Sequence, residues 1–405
     1  MAIKLSFDHR HYVPILRHKG AEMQALRLLL PEDKRGITPL IELTPSLLAM
    51  KERRKLTNAG FFEEIAKEIT GAWEYVPLFV DAGLLSQTLG SSGGDHPVWS
   101  FSEGARRLRI AAIPVTGLKR SRAYQTAIQK VVTADNNGLC VRLSVDDLWS
   151  ATLGAELRSL LAAFNLNPKQ VDIVADLKLI GENSSRIGFS KLCGCIPLLS
   201  SWRTFTVASG SFPKDLSEYK KNRQYERLRY DWLQWFGEVK NGPTLPRFPS
   251  FGDYAIEHPI YSEPRPTWNA SASIRYTADD HWVIMRGEGV RNDRGSGYAQ
   301  YWANANLLSG RPEFQGQAFS RGDEYIYRIG QQTEKTGNHT TWRFAGINHH
   351  LTFVVRQIAS SFGSSSGGVP GTGSGPARRP QRASRKSSHD ASIARFQPLQ
   401  IPLID

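Results

Sequence analysis

The stretch GLCVRLSVDDLWSATLGAELRSLLAAFNLNPKQVDIVADLK, residues 138–178, reads as one strand–helix–strand unit. Gly138–Ser144 and Val171–Lys178 are short runs rich in β-branched and apolar residues, nearly continuous, as strands covered on both faces must be. Between them Asp147–Phe164 spaces its leucines at helical intervals. A parallel β/α unit follows, and the same alternation continues in both directions. Towards the N-terminus lie Tyr12–Leu16 (YVPIL), Thr38–Leu43 (TPLIEL), Tyr75–Asp81 (YVPLFVD) and Ala111–Thr116 (AAIPVT); towards the C-terminus lie Phe205–Ser209 (FTVAS) and Tyr254–His258 (YAIEH). Helix-like stretches separate them at Ala21–Leu30, Pro45–Thr70 in two pieces, Ser102–Ile110, Arg122–Thr133 and Lys214–Trp235. Eight strands with intervening helices predict an α/β fold of the (β/α)8 TIM-barrel type, whose strand C-termini converge on one face. An open doubly wound sheet is the alternative, and no G-x-G-x-x-G after the first strand supports it.

Pro14, Pro39, Pro77 and Pro114 lack the N–H that a central strand needs, so their strands should begin at the proline or bulge around it. After residue 260 the pattern changes to a turn-rich segment with a β-hairpin in SASIRYTADDHWVIMRG, and then to helices at Gln300–Leu308, Phe319–Gln331 and Thr341–Ser361. Residues 1–362 therefore read as one barrel domain with an elaboration over 260–362. Residues 363–390 read as a flexible Gly/Ser/Arg linker, too poor in apolar side chains to offset ordering entropy. Residues 391–405, with FQPLQIPLI, read as a short apolar end suited to docking on the body or on a protein partner.

The chain has 405 residues and a net charge of +13, with 40% apolar and 22% charged residues, which excludes disorder throughout. The tail after 362 carries Arg378, Arg379, Arg382, Arg385, Lys386 and Arg395 against Asp390 and Asp405, so it takes only part of the excess. A basic body favours anionic partners: nucleic acid, nucleotides or phosphorylated metabolites. Cys140, Cys193 and Cys195 are too few for a disulfide framework or a zinc site of paired cysteines. No run of 18 apolar residues and no signal-peptide pattern is present, so the expected location is the cytoplasm, without membrane contact.

YVPILRHKGAEMQAL, ITPLIELTP, SASIRYTADDHWVIMRG and GINHHLTFV together resemble the phage and bacterial beta protein family, over residues 12–360. The resemblance implies a phage-related context, with some members in neighbourhoods suggestive of phage defence. It implies no catalytic residues.

In a barrel, polar residues at strand C-termini share one mouth. Here they are Arg17, His18 and Lys19 after strand one, Glu42 in two, Asp81 in three, Lys119 after four and Arg142 in five. Asp176 and Lys178 in six, Ser209 and Ser211 after seven, and Glu257 and His258 at eight complete the rim. Glu42, Asp81 and Asp176 could hold Mg²⁺ or Mn²⁺ as oxygen ligands, while Arg17, Lys19, Lys119 and Arg142 neutralise phosphate, the layout of a metal-dependent phosphodiesterase or nuclease. Asp176 and Lys178 alternate on one strand and could share a proton, as a catalytic acid–amine pair or a plain salt bridge. Arg275 and Arg286 in the hairpin form a second anion-binding candidate. The basic and aromatic stretch Lys214–Trp235 offers phosphate contacts and stacking platforms if its cations share a surface with its rings. A non-enzymatic adaptor and a barrel enzyme acting on a small phosphorylated metabolite are the competing readings. His349-His350 on a helix cannot form a joint metal site, and one of them should hydrogen-bond within the fold.

Overall fold

In the computed structural model, which describes residues 5–74, 77–86, 96–182, 188–263, 269–291, 297–362 and 401–402, eight parallel strands close into a barrel. They are β1 (Tyr12–Arg17), β2 (Leu40–Glu42), β3 (Leu78–Asp81), β4 (Ala112–Thr116), β5 (Leu139–Leu143), β6 (Val171–Leu179), β7 (Thr204–Gly210) and, after an intervening strand β8 (Arg223–Leu228), β9 (Ser250–Asp253). The barrel closes where β1 pairs with β9, Tyr12 opposite Phe251 and Val13 opposite Gly252. The α/β barrel expected from the alternation is the fold, and helices such as Arg122–Asp135 and Leu153–Phe164 follow the strands as expected. Pro39 and Pro77 stand just before β2 and β3, whereas Pro14 and Pro114 lie inside their strands.

One expected strand is displaced and one expected helix is replaced. The eighth barrel strand is Ser250–Asp253, not Tyr254–His258: the Asp253 carboxylate accepts from the Ala255 N–H (2.9 Å), and Ala255 takes a left-handed φ of 49°, which ends the strand. Lys214–Trp235 is not one helix. Its middle is β8, and the helix runs Tyr230–Asn241. β8 pairs antiparallel with β11 (His281–Arg286), which pairs with β10 (Ile274–Thr277), so the expected hairpin gains a third strand. Tyr219 and Tyr225 are buried with Phe212, Trp282 and Ile284 in a core of their own, while Trp232 and Trp235 pack on Phe251 of the barrel. These four rings are therefore packing groups, and the cations beside them serve the fold: Arg227 donates to the Tyr219 hydroxyl (3.1 Å) and the Arg229 guanidinium lies 5.4 Å from the Trp232 ring centre. Of the apolar end, Ile401 and Pro402 pair antiparallel with Gln224 and Arg223 of β8; the rest of 363–405, including the expected linker, lies outside the described residues.

The barrel interior follows the period of two. Val13, Ile15, Leu40, Phe79, Ile113, Val115, Cys140, Val174 and Ala208 fill it, and the next inward position on five strands is charged: Arg17, Glu42, Asp81, Arg142 and Asp176. β9 contributes Gly252 because a Cβ there would stand 2.9 Å from the Ala208 Cβ and 3.0 Å from the Val13 carbonyl oxygen. Gly252→Val is expected to lower stability by about 1–3 kcal/mol through overpacking, measured by urea unfolding. The long helix His339–Phe362 closes the outer layer beside Gly20–Arg27, and its two adjacent histidines serve the fold: His349 Nδ1 lies 2.8 Å from Asp323 and His350 Nε2 lies 2.8 Å from Asp253. No helix among the described residues is long and apolar enough to cross a membrane.

Candidate functional site at the barrel mouth

Parallel register brings the charged inward positions side by side: Arg17 is opposite Glu42, and Glu42 opposite Asp81. Arg142 reaches across the barrel from β5 and is the hub of this layer. Its Nη1 donates to Glu42 Oε1 and to Asp81 Oδ2, both at 2.8 Å, and its Nε donates to Asp176 Oδ2 at 2.8 Å. Its Nη2 donates to the Tyr254 hydroxyl at 2.8 Å, which in turn donates to Asp176 at 2.7 Å. Burial alone would raise the carboxyl groups of Asp81 and Asp176; the guanidinium groups of Arg120 and Arg142 hold Asp81 below its usual range, and Arg142 with Lys178 does the same for Asp176.

Two further cations cap the layer. Arg120 donates to both oxygens of Asp81 (3.1 and 3.0 Å), and Lys178 Nζ donates to Tyr254 (2.8 Å) and lies 2.9 Å from Asp176. Lys178 takes a left-handed φ of 57°, and the register of β6 shifts between Asp176 and Leu179. A bulge of this kind re-aims a side chain at a strand end. Here it turns the expected Asp176–Lys178 pair onto one hydroxyl.

A second ionic group adjoins the first. Arg17 Nη2 donates to the His258 carbonyl (2.7 Å), its Nε is 3.7 Å from Glu42 without a hydrogen-bond partner, and its guanidinium lies 5.3 Å from the Tyr261 ring centre. Lys19 Nζ lies 5.2 Å from the same ring. Glu257 is 3.3 Å from Arg275 and 3.6 Å from Arg343, and despite burial Arg343, Arg275, Arg17 and Lys19 hold its carboxyl down to about 2. Glu22 shares a small cavity with Arg17, Tyr254 and Glu257, and burial, reinforced by the charge of Glu257, pushes its carboxyl up to about 7. Its Oε2 has no hydrogen-bond partner.

The residues expected at the mouth thus divide. Glu42, Asp81, Asp176, Lys178 and Arg142 form one connected layer, and Arg17, Lys19 and Arg275 gather beside it. Lys119 stands apart, 3.5 Å from Asp147, and Arg286 is held in the small sheet by the carbonyls of Leu216 and Gly287. His18 is 3.3 Å from Glu68, and Ser211 donates to Asp231. The three carboxylates expected to ligate Mg²⁺ or Mn²⁺ converge, but on a guanidinium: Arg142 takes an oxygen of each, and a divalent ion would have to displace it. Tyr254, Arg120, Glu22, Tyr261 and Arg343 join the mouth without any expectation from strand-end position. Only Tyr254 carried a signal, as the inward position two residues after Gly252.

The family comparison covers all of these positions, since the model described as Beta protein matches residues 12–356. The chain belongs to the beta protein family. No curated protein matches the sequence. In this beta-protein chain both ionic groups, from Arg17 to Arg343, lie inside the matched stretch, while the basic tail lies beyond it.

Proposed function

We propose that the barrel mouth of this beta protein binds a phosphorylated ligand, nucleic acid or a nucleotide. The observation that carries this reading is the layering of charge. The side chains of Glu42, Asp81 and Asp176 are only 4%, 3% and 2% exposed, while those of Lys178 and Arg120 are 41% and 21% exposed. An arriving ligand meets cations, and the carboxylates that compensate them are shut beneath. Lys19 and the Tyr261 ring extend this surface, and a ring beside cations suits a phosphate attached to a planar base. The basic body adds long-range attraction.

The reading extends to binding. A metal-assisted phosphodiester step would need Arg142 to release the three carboxylates, so the assay tests cleavage separately. Labelled single- and double-stranded DNA and RNA, and labelled nucleotides, are titrated with the full chain over a salt series, with and without Mg²⁺ or Mn²⁺. Salt-sensitive binding is expected, with Lys178→Glu and Lys19→Glu each weakening it and lowering the salt slope by about one, the share of a single phosphate neutralised. Unchanged affinity in both variants removes the mouth as the site. Metal-dependent cleavage that disappears in Asp176→Asn would add the hydrolase reading. Loss of a protein partner on deleting 363–405, with mouth binding intact, would assign recruitment to the tail.

A further inference from the structure

Away from the mouth, the small sheet places a histidine between two carboxylates. His281 opens β11 opposite Leu228, and Glu226 lies opposite Val283, so His281 and Glu226 are diagonal neighbours on one face, within reach of long side chains. Glu313 comes from the loop that follows helix Gln300–Ser309. The ligand atoms of Glu226, His281 and Glu313 all lie within 4.8 Å of one another, and His281 Nε2 is 3.9 Å from Glu313 Oε1.

Two features separate this group from an ordinary cluster of surface charges. The first is the ring of His281. Its Nδ1 lies 2.7 Å from Asp280 Oδ1, while its Nε2 is shut off from solvent with no hydrogen-bond partner. A carboxylate on Nδ1 fixes the tautomer that leaves a lone pair on Nε2, which is the arrangement metal-bound histidines use. That lone pair faces carboxylate oxygens, an unfavourable juxtaposition unless something positive stands between them. The second feature is charge. Arg311 donates to Glu226, to both oxygens of Glu313 (2.9 and 3.1 Å) and to Gln224 (3.0 Å), so it holds the carboxylates in place. One guanidinium against Glu226, Glu313 and Asp280 leaves two negative charges.

We propose that His281 Nε2, Glu226 and Glu313 form a binding site for a divalent transition-metal ion, Zn²⁺ by the nature of the ligands. One nitrogen and two carboxylate oxygens are ligands that zinc accepts, with a fourth position for water. Zinc–ligand bonds of about 2 Å place tetrahedral ligands roughly 3.3 Å apart, so the side chains close by about an ångström on binding. Arg311 stays as an outer partner of the carboxylates, Asp280 as that of the histidine, and the ion brings the group to neutrality.

The test is equilibrium dialysis of the chelator-stripped full chain against ZnCl₂, with Co²⁺ substitution read by its visible d–d absorption. One equivalent of Zn²⁺ per chain is expected. His281→Ala should abolish it with an unchanged circular dichroism spectrum. Glu226→Gln, which keeps side-chain size, should weaken it at least tenfold, and Asp280→Asn about tenfold through the orientation of the ring. A Cys193→Ser/Cys195→Ser double variant should bind as the parent does. No saturable binding, undiminished binding in His281→Ala and Glu226→Gln, or loss of binding in the cysteine variant overturns the proposal. Nucleic-acid binding at the mouth is read separately and does not bear on it.

Discussion

Arg142→Met is expected to destabilise the protein by about 3–5 kcal/mol at pH 7, read as a fall in the urea midpoint. Removing one member of a buried ionic network leaves its partners charged and uncompensated, and that costs more than the network contributed. Here three carboxylates share the missing guanidinium: Glu42, Asp81 and Asp176. Arg120 and Lys178 still reach Asp81 and Asp176, whereas Glu42 keeps only Arg17 at 3.7 Å. Adding Glu42→Gln to Arg142→Met should therefore recover part of the loss.

The deficit has a defined pH dependence. Asp81 and Asp176 have folded-state values below the ordinary one, so their ion pairs contribute stability above about pH 4 that is lost as pH falls through the folded values. Without Arg142 these groups take up protons more readily in the folded state. The difference between parent and variant should be largest near neutrality and should shrink towards pH 4. A difference independent of pH would mean that Arg142 acts by packing and not by charge.

Glu22→Gln should change stability in the opposite sense. A carboxyl pushed up to about 7 by burial binds its proton more tightly folded than unfolded, so the folded state loses stability as pH rises from about 4.5 through 7. Raising the carboxyl from about 4.5 to about 7 corresponds to a loss of roughly 3 kcal/mol by pH 8. Glu22→Gln removes that loss. The variant should match the parent near pH 4.5 and exceed it by up to about 3 kcal/mol at pH 8, in urea unfolding at a series of pH values. Asp231, pushed up to about 6 by burial with Asp253 adding to it, gives a slope of the same sign that remains in both proteins. Equal pH slopes in parent and variant would place the Glu22 carboxyl at its ordinary value and in contact with water.

The seven strands found at or near their expected places were legible because a parallel strand covered on both faces must be an apolar run. The eighth escaped that rule. Ser250-Phe251-Gly252-Asp253 is too polar and too small to stand out, because its inward position has room only for glycine. β8 escaped for another reason: Arg223–Leu228 (RQYERL) has no apolar run and a single aromatic residue, and among neighbouring basic residues the same letters also suit an amphipathic helix. Its strand character comes from β11, 50 or more residues further along, which supplies the hydrogen bonds. The expected metal ligands show a similar limit. Strand-end position placed Glu42, Asp81 and Asp176 at one mouth, but nothing local shows that an arginine from β5 is long enough to reach all three.

The order of the β/α units, the inward charged layer and the basic excess are properties of the chain itself, because two-residue periodicity and composition are local quantities. The partner of each charge was decided by tertiary structure. Closing the barrel sets Arg142 among three carboxylates and Glu22 beside Glu257, and pairing β8 with β11 sets His281 beside Glu226. Coulomb and desolvation energies depend on distances across the fold, and those distances exist only once strands far apart in sequence are neighbours.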